Sequence, residues 1–298
     1  MTVRLQGVFA PIITPFRTGG DLDTAAAAET SRTLVAAGLT GIVVAGSTGE
    51  APLLEDDERV ALLAAVRAAV PSVPVLMGVG AESTRQTIAR TRAAAAAGAD
   101  AALCVAPHYF GAAVMTDAAL EAHYVAVADA SPIPVVLYSI PKYMHFALSA
   151  SLVGRLSQHA NIVGIKDSSG DPAQLAGFLG SQGDAFTVLT GNGAQFLSAL
   201  RAGARGGILA VSAYAPALCV AVLREHVAGQ DAAAEAAQAT LTPLAVEIVA
   251  KLGIAGVKAA YDAVGLTGGP VRGPLQDLPP SGVATVRALL RTAGLLGA

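Results

Sequence analysis

Apolar residues along the chain gather in short continuous runs, and between the runs lie longer stretches that place Ala and Leu on one face and charge on the other. The runs cover 7–13, 41–45, 73–79, 101–106, 134–140, 162–165, 186–189 and 207–211. A run that is apolar at consecutive positions, instead of alternating, fits a parallel strand covered on both faces. The stretches 24–37, 55–69, 83–97, 117–129, 149–158 and 172–179 read as helices. Ser83 with Gln86 three residues later signals a helix start, and Gly38 and Gly98 mark helix stops. Eight such units over about 225 residues predict a (β/α)8 TIM barrel. A doubly wound sheet would also alternate, but evenly spaced units without a dinucleotide fingerprint disfavour it. After Gly229 the alternation ends. Residues 231–252, 254–264 and 281–296 look helical, with 268–280 as a Gly- and Pro-rich connection, so the chain divides into a barrel, 1–228, and a C-terminal helical segment, 229–298.

Composition narrows the function. A chain of 298 residues that is 53% hydrophobic and 14% charged folds into a sizeable core. A net charge of −3 provides no basic field for nucleic acid or for an acidic membrane surface, which leaves small molecules as the expected partners. Cys104 and Cys219 are far apart and lie in apolar runs, so neither a disulfide framework nor a Cys-x-x-Cys metal site is expected, and a reducing, cytoplasmic setting fits. The N-terminus, with Arg4, shows no signal or transit pattern. The uncharged residues at 206–223 include Arg-free Gly, Ser and Pro breaks, at Gly206, Gly207, Ser212 and Pro216, and read as strand, loop and helix instead of a membrane span.

In a (β/α)8 barrel the site lies at the C-terminal ends of the strands, so the polar residues that close each run are the candidates for chemistry. They are Thr14, Gly46-Ser47-Thr48-Gly49-Glu50, His108-Tyr109, Tyr138-Ser139, Lys142-Tyr143, Lys166-Asp167-Ser168-Ser169 and Gly191-Asn192-Gly193. Lys166 is one of only four lysines and closes a buried run. Desolvation disfavours an ammonium ion, and a neutral amine is what attacks a ketone to form a Schiff base. A lysine snorkelling from a strand end, or paired with Asp167, fits the same position. The Gly46–Glu50 loop offers hydroxyls and amides to a carboxylate, or is a tight turn in which Glu50 ties down a neighbouring loop. It is no P-loop, and Gly191-Asn192-Gly193 is a weak nucleotide signature. Tyr138 and Tyr109 can relay protons or simply fill a core. The histidines lack metal spacing, with His123 and His159 read as surface residues, and neither a metal cluster nor a glycosidase carboxylate pair is expected. No cofactor is expected. A lysine, two tyrosines and hydroxyls suit imine chemistry on a keto acid.

In these motifs the chain resembles, over essentially its whole length, the dihydrodipicolinate synthase and N-acetylneuraminate lyase family. The resemblance rests on Thr14-Pro15-Phe16, Gly46-Ser47-Thr48-Gly49-Glu50, Leu137-Tyr138-Ser139-Ile140-Pro141 and Gly164-Ile165-Lys166-Asp167-Ser168. Within the family the chain looks most like 4-hydroxy-2-oxoglutarate aldolase, through residues 131–139, 161–168 and 268–276. The resemblance implies that Lys166 forms the Schiff base and that Tyr138 shuttles protons. It implies that Ser47 links Tyr138 to Tyr109, which reaches in from a neighbouring subunit of a homotetramer. Thr48, with Gly49, is implied to hold the pyruvate carboxylate, and Ser168 and Tyr143 complete the expected substrate-binding set. Synthases of the family have an arginine where this chain has Tyr143, to bind a carboxylate of the incoming semialdehyde. The sequence therefore places cleavage of 4-hydroxy-2-oxoglutarate to pyruvate and glyoxylate first. Behind it stand a 2-keto-3-deoxy sugar acid aldolase or dehydratase, 4-hydroxy-tetrahydrodipicolinate synthase, and a non-catalytic keto-acid-binding homologue. Lys142, beside Tyr143, is expected to point elsewhere.

Overall fold

The computed structural model describes residues 5–297. The terminal parts of both expected units, residues 1–4 with Arg4 and residue 298, lie outside the described residues. Eight strands form a closed parallel barrel in chain order: β1 (Gly7–Pro11), β2 (Gly41–Val44), β3 (Val75–Gly78), β4 (Ala101–Val105), β5 (Val135–Ser139), β6 (Ile162–Asp167), β7 (Thr187–Thr190) and β8 (Gly206–Ile208). Each of the eight expected runs overlaps one, with β6 and β7 extending past the ends of their runs and β8 starting one residue before its own. The strands are buried almost throughout, which is why their sequences do not alternate. The eighth ends earlier than its apolar run suggests, because residues 210–213 turn into a 3-10 segment.

The helices are α1 (Thr24–Ala36), α2 (Asp56–Ala69), α3 (Thr84–Ala96), α4 (Asp117–Ala130), α5 (Pro141–Met144), α6 (Ala150–Leu156), α7 (Pro172–Leu179), α8 (Phe196–Ala202), α9 (Pro216–Val227), α10 (Asp231–Pro243), α11 (Gly253–Ala263) and α12 (Pro280–Thr292). Ser83 caps α3 by accepting from the Gln86 amide at 3.1 Å. Gly38 and Gly98, just past α1 and α3, take φ values of 95° and 92°, where a side chain would be strained. Two elements depart from the expected pattern. The four-residue α5 follows β5 directly, and the single helix expected over 231–252 divides at Pro243 into α10 and a π-helix, Leu244–Lys251. Proline removes a backbone donor from the ladder, and π-turns accommodate such a defect.

His123 corrects another expectation. It is not a surface residue: it is 6% exposed, and its Nδ1 lies 2.9 Å from the Thr84 hydroxyl. Burial lowers its pKa to about 4, opposed by the charge of Glu82. In α4, where Ala and other apolar residues surround the ring on both faces, the local pattern does not mark which face the imidazole occupies. His159 is partly covered and lies 3.0 Å from Asp129.

The segment after Gly229 closes over the barrel mouth. Lys258 of α11 lies 2.6 Å from the Glu50 carboxylate, both of them buried, and also donates to the Pro270 carbonyl at 2.6 Å. The second oxygen of Glu50 accepts the Arg272 amide at 2.8 Å. The Arg272 guanidinium makes a forked pair with Glu58 at 2.5 and 2.6 Å and stacks 4.1 Å over the Phe16 ring. Glu50 thus ties down a neighbouring segment, as one reading of its loop expects.

Candidate active site

The site is built on two neighbouring strands. β5 and β6 pair so that Tyr138 lies opposite Lys166 and Ser139 opposite Asp167. Residues opposite one another in register face the same way, and successive residues face opposite ways. Lys166 and Tyr138 therefore project together, while Asp167 turns aside. Lys166 is 5% exposed and Tyr138 4%, and the lysine Nζ stands 4.2 Å from the centre of the Tyr138 ring. Asp167 does not neutralise Lys166. Its carboxylate accepts the Ser169 amide at 3.0 Å and the Ser169 hydroxyl at 2.9 Å, and burial raises its pKa against those bonds.

Lys166 and Tyr138 line a cavity of about 180 Å³ at the barrel mouth, together with Ser47, Thr48, Ser168 and Tyr143. Six of the eight expected site residues thus meet in one chamber. The Ser47–Thr48 stretch is held there by a strained loop. Ala45 and Glu50 bracket it at φ values of 50° and 56°, a region costing about 1–3 kcal/mol for residues with a side chain. The Thr14 hydroxyl fastens the same loop through the Gly49 carbonyl at 2.6 Å.

Gly49 and Tyr109 are placed differently. Gly49 is not among the residues lining the cavity; its amide donates to the Gly46 carbonyl at 3.0 Å and so helps shape the loop. Tyr109 is 79% exposed and packs edge-on against Phe110, their ring centres 5.3 Å apart. Its amide and that of His108 both donate to Glu82 at 2.9 Å. Within one chain the Tyr109 phenol does not join the Lys166 chamber.

Three features of the chamber were not foreseen, although Gly191 and Lys142 stood among the strand-end candidates. Gly191 abuts the lysine: a Cβ there would fall 2.8 Å from Lys166 Cε and 1.9 Å from Ser168 Oγ. Its place immediately after β7 was the available signal. Lys142 does not point away. It lines the same cavity as Lys166, with its Nζ donating to the Ala250 carbonyl at 3.2 Å. On a helix, adjacent residues are only about 100° apart, so Lys142 and Tyr143 can both border one opening. The third feature is the far wall, built by Ala245, Val249 and Ala250 of the π-helix and by Ile254 and Val257 of α11.

Tyr143 also borders a larger adjoining cavity of about 530 Å³, which shares Ser47, Tyr138 and Ile140 with the first. Burial, and secondarily the Tyr138 phenol, raise the pKa of Tyr143, so it presents a neutral hydroxyl. Among the described residues no group of three or more His, Cys, Asp or Glu is arranged to hold a metal, and no helix is long and apolar enough to cross a membrane.

Comparison with known proteins agrees with this geometry. The model of the dihydrodipicolinate synthetase family matches residues 4–293. A 4-hydroxy-tetrahydrodipicolinate synthase of Exiguobacterium sp. is 36% identical over 284 residues, 95% of either chain. One of Ruegeria pomeroyi is 36% identical over 292 residues, 98% of this chain and 99% of the relative. Among solved structures, a dihydrodipicolinate synthase from Bacillus anthracis superposes with a TM-score of 0.93 at 30% identity, covering 97% of this chain and 99% of that one. A prophage protein of the dihydrodipicolinic acid synthase family from E. coli, solved in complex with pyruvate, superposes with a TM-score of 0.91 at 29% identity, covering 98% of this chain and 99% of that one. The Exiguobacterium, Ruegeria and Bacillus relatives bear the name of the synthase, and the narrower likeness to 4-hydroxy-2-oxoglutarate aldolase gains no support from these comparisons.

Proposed function

Because the chain belongs to the dihydrodipicolinate synthetase family, we propose that it is a class I enzyme that activates pyruvate, or the pyruvate part of a longer 2-keto acid, as an imine on Lys166. At the level of reaction class it is a carbon–carbon lyase. The observation that carries the residue assignment is the pair of Lys166 and Tyr138, side by side on β5 and β6 and buried in one small chamber.

The Lys166 amine adds to the C2 carbonyl and water leaves, giving the imine. The imine withdraws electrons, so a proton lost from C3 of pyruvate leaves an enamine whose carbon attacks an aldehyde. In reverse, the C3–C4 bond of a 2-keto-4-hydroxy acid breaks as its 4-hydroxyl loses a proton. Hydrolysis of the imine then returns the amine. Tyr138 is the group placed to carry these protons. Ser47 and Thr48 receive the keto acid's carboxylate, and Ser168 borders the imine carbon's side of the chamber. The C-terminal helical segment, 229–298, acts as the wall of this site.

For the second reactant, the names of the relatives favour condensation with an aldehyde to form 4-hydroxy-tetrahydrodipicolinate. One observation favours the second reading, cleavage of 4-hydroxy-2-oxoglutarate: Tyr143 supplies a neutral hydroxyl where the synthases of the resemblance have arginine's bidentate cation. Exposed Tyr109 fits the reading in which a second copy of the chain receives it, within a homotetramer.

The test is pyruvate with borohydride, followed by peptide mapping. The adduct is expected on Lys166 and is expected to vanish in Lys166→Arg, because a guanidinium stays charged and does not attack the ketone. An adduct on Lys142, Lys251 or Lys258 would sink the mechanism. The kcat/KM of aspartate semialdehyde condensation, measured beside that of 4-hydroxy-2-oxoglutarate cleavage, decides between the two readings.

A further inference from the structure

The chain has four lysines, Lys142, Lys166, Lys251 and Lys258. Two of them are neutralised within the fold: Lys251 lies 2.7 Å from Glu247, and Lys258 lies 2.6 Å from Glu50. Among the described residues, neither of the other two forms an ion pair, and those two line the same 180 Å³ cavity. No aspartate or glutamate lines that cavity. A chamber bordered by the Lys142 ammonium and free of acids is electrostatically suited to an anion beyond the carboxylate placed at Ser47 and Thr48.

Their surroundings assign them different tasks. Lys166 is buried on a strand with its Nζ against an aromatic ring. Lys142 is exposed on α5, and its one protein acceptor is the Ala250 carbonyl in the last turn of the π-helix. Carbonyls in a last turn lack intrahelical partners and carry the negative end of the helix dipole, so they hold an ammonium in place. An ammonium has three donors, and Ala250 takes one. Two remain for a ligand.

We propose that Lys142 binds a second carboxylate on the substrate, making the site selective for 2-keto acids that are dicarboxylates. This deepens the reading of Lys166 as the imine-forming lysine and rests on it. A point-like ammonium offered from a helix replaces the fork of an arginine, and Tyr143 beside it contributes a hydroxyl. The same assignment serves both candidate reactions: in the cleavage the second carboxylate belongs to the 2-keto acid itself, and in the condensation it arrives on the aldehyde that is joined to pyruvate.

The experiment compares 2-oxoglutarate with 2-oxopentanoate, five-carbon keto acids that end in a carboxylate and a methyl group respectively. Each is titrated against borohydride trapping on Lys166, and the half-saturating concentrations are compared in the unmodified protein, in Lys142→Met and in Lys142→Arg. The unmodified protein is expected to saturate at lower 2-oxoglutarate than 2-oxopentanoate. In Lys142→Met this preference is expected to shrink by about 10- to 150-fold, the worth of a charged hydrogen bond. Lys142→Arg is expected to retain part of it. An unchanged preference in Lys142→Met, or no preference in the unmodified protein, overturns the assignment. Failure to trap either acid, or pyruvate, on Lys166 overturns the underlying imine reading instead.

Discussion

Tyr138 and Lys166 stand on paired strands that the barrel's hydrogen-bond register fixes side by side, whereas Lys142 and Tyr143 stand on a four-residue helix facing a π-helix and α11. The strand side of the cavity is held by the β5–β6 ladder, in regular register from Val136 to Ser139, and by a core packed on both faces of the sheet. The helical side is held by a few polar ties: the Ala250 carbonyl to Lys142, and Glu50 to Lys258 and Arg272. Under the proposed function, the contrast separates bond-making from recognition. Imine chemistry needs two groups at one invariant separation, which a closed barrel guarantees. Recognition of the second reactant can be altered on an irregular wall without disturbing that pair.

The largest effect is expected on the strand side. Tyr138→Phe should lower kcat by about 10²- to 10⁴-fold, as expected for loss of a positioned acid–base group, in steady-state turnover with the better substrate. A near-normal kcat would mean that the phenol only packs against Lys166, and the two sides would then not differ in the way described. Glu50→Gln probes the anchor of the helical side. It leaves Lys258 buried without its counter-charge, so urea unfolding should show a loss of about 3–5 kcal/mol. If the loss is below about 1 kcal/mol, the C-terminal segment is held by apolar packing and not by this pair.

A pH measurement gives a similar but smaller effect, in a layer that belongs to neither side. The buried His123 has a pKa near 4, against about 6.5 in the unfolded chain. With the folded value depressed, the unfolded state binds the proton first as pH falls. The neutral imidazole's contribution is therefore complete above pH 6.5 and is lost between about 6.5 and 4, amounting to about 3 kcal/mol. Urea midpoints should fall over this window in the unmodified protein and less steeply in His123→Gln; parallel slopes would place the acid sensitivity elsewhere. The gentlest probe mixes inactive Tyr109→Phe and Lys166→Ala subunits. Partial recovery of turnover in verified mixed oligomers is expected if Tyr109 serves a second copy, and no recovery would remove it from the relay.

The strand side was far more legible in the sequence than the helical side. Buried parallel strands write themselves as uninterrupted apolar runs, so all eight were visible, and a rare lysine at the end of one drew attention at once. Tyr138 followed from the same rule. The direction of Lys142 did not, because it depends on a short helix that neither its four residues nor any periodicity announces. Gly191 was passed over as part of a nucleotide-like triplet, since its use is an absence of side chain beside Lys166 that only the folded register displays. The ties of Glu50 were foreseen in kind but not in partner: Arg272 is 222 residues away, and one sequence holds no trace of such a pairing. Gly49 and Tyr109 show the converse, residues correctly noticed in their motifs that the chain's own fold does not bring to the cavity.

That separation of 222 residues between Glu50 and Arg272 also has a meaning in time. A ribosome adding about 5–20 residues per second needs roughly 10–40 s to pass from one to the other. For nearly all of that interval the nascent chain carries a carboxylate destined for burial with neither Lys258 nor Arg272 yet made, Lys258 arriving shortly before Arg272. The loop bearing Ser47 and Thr48 thus acquires its final brace only when synthesis is nearly finished. A chain released early keeps Lys166 and Tyr138 but lacks the fastening of the loop beside them.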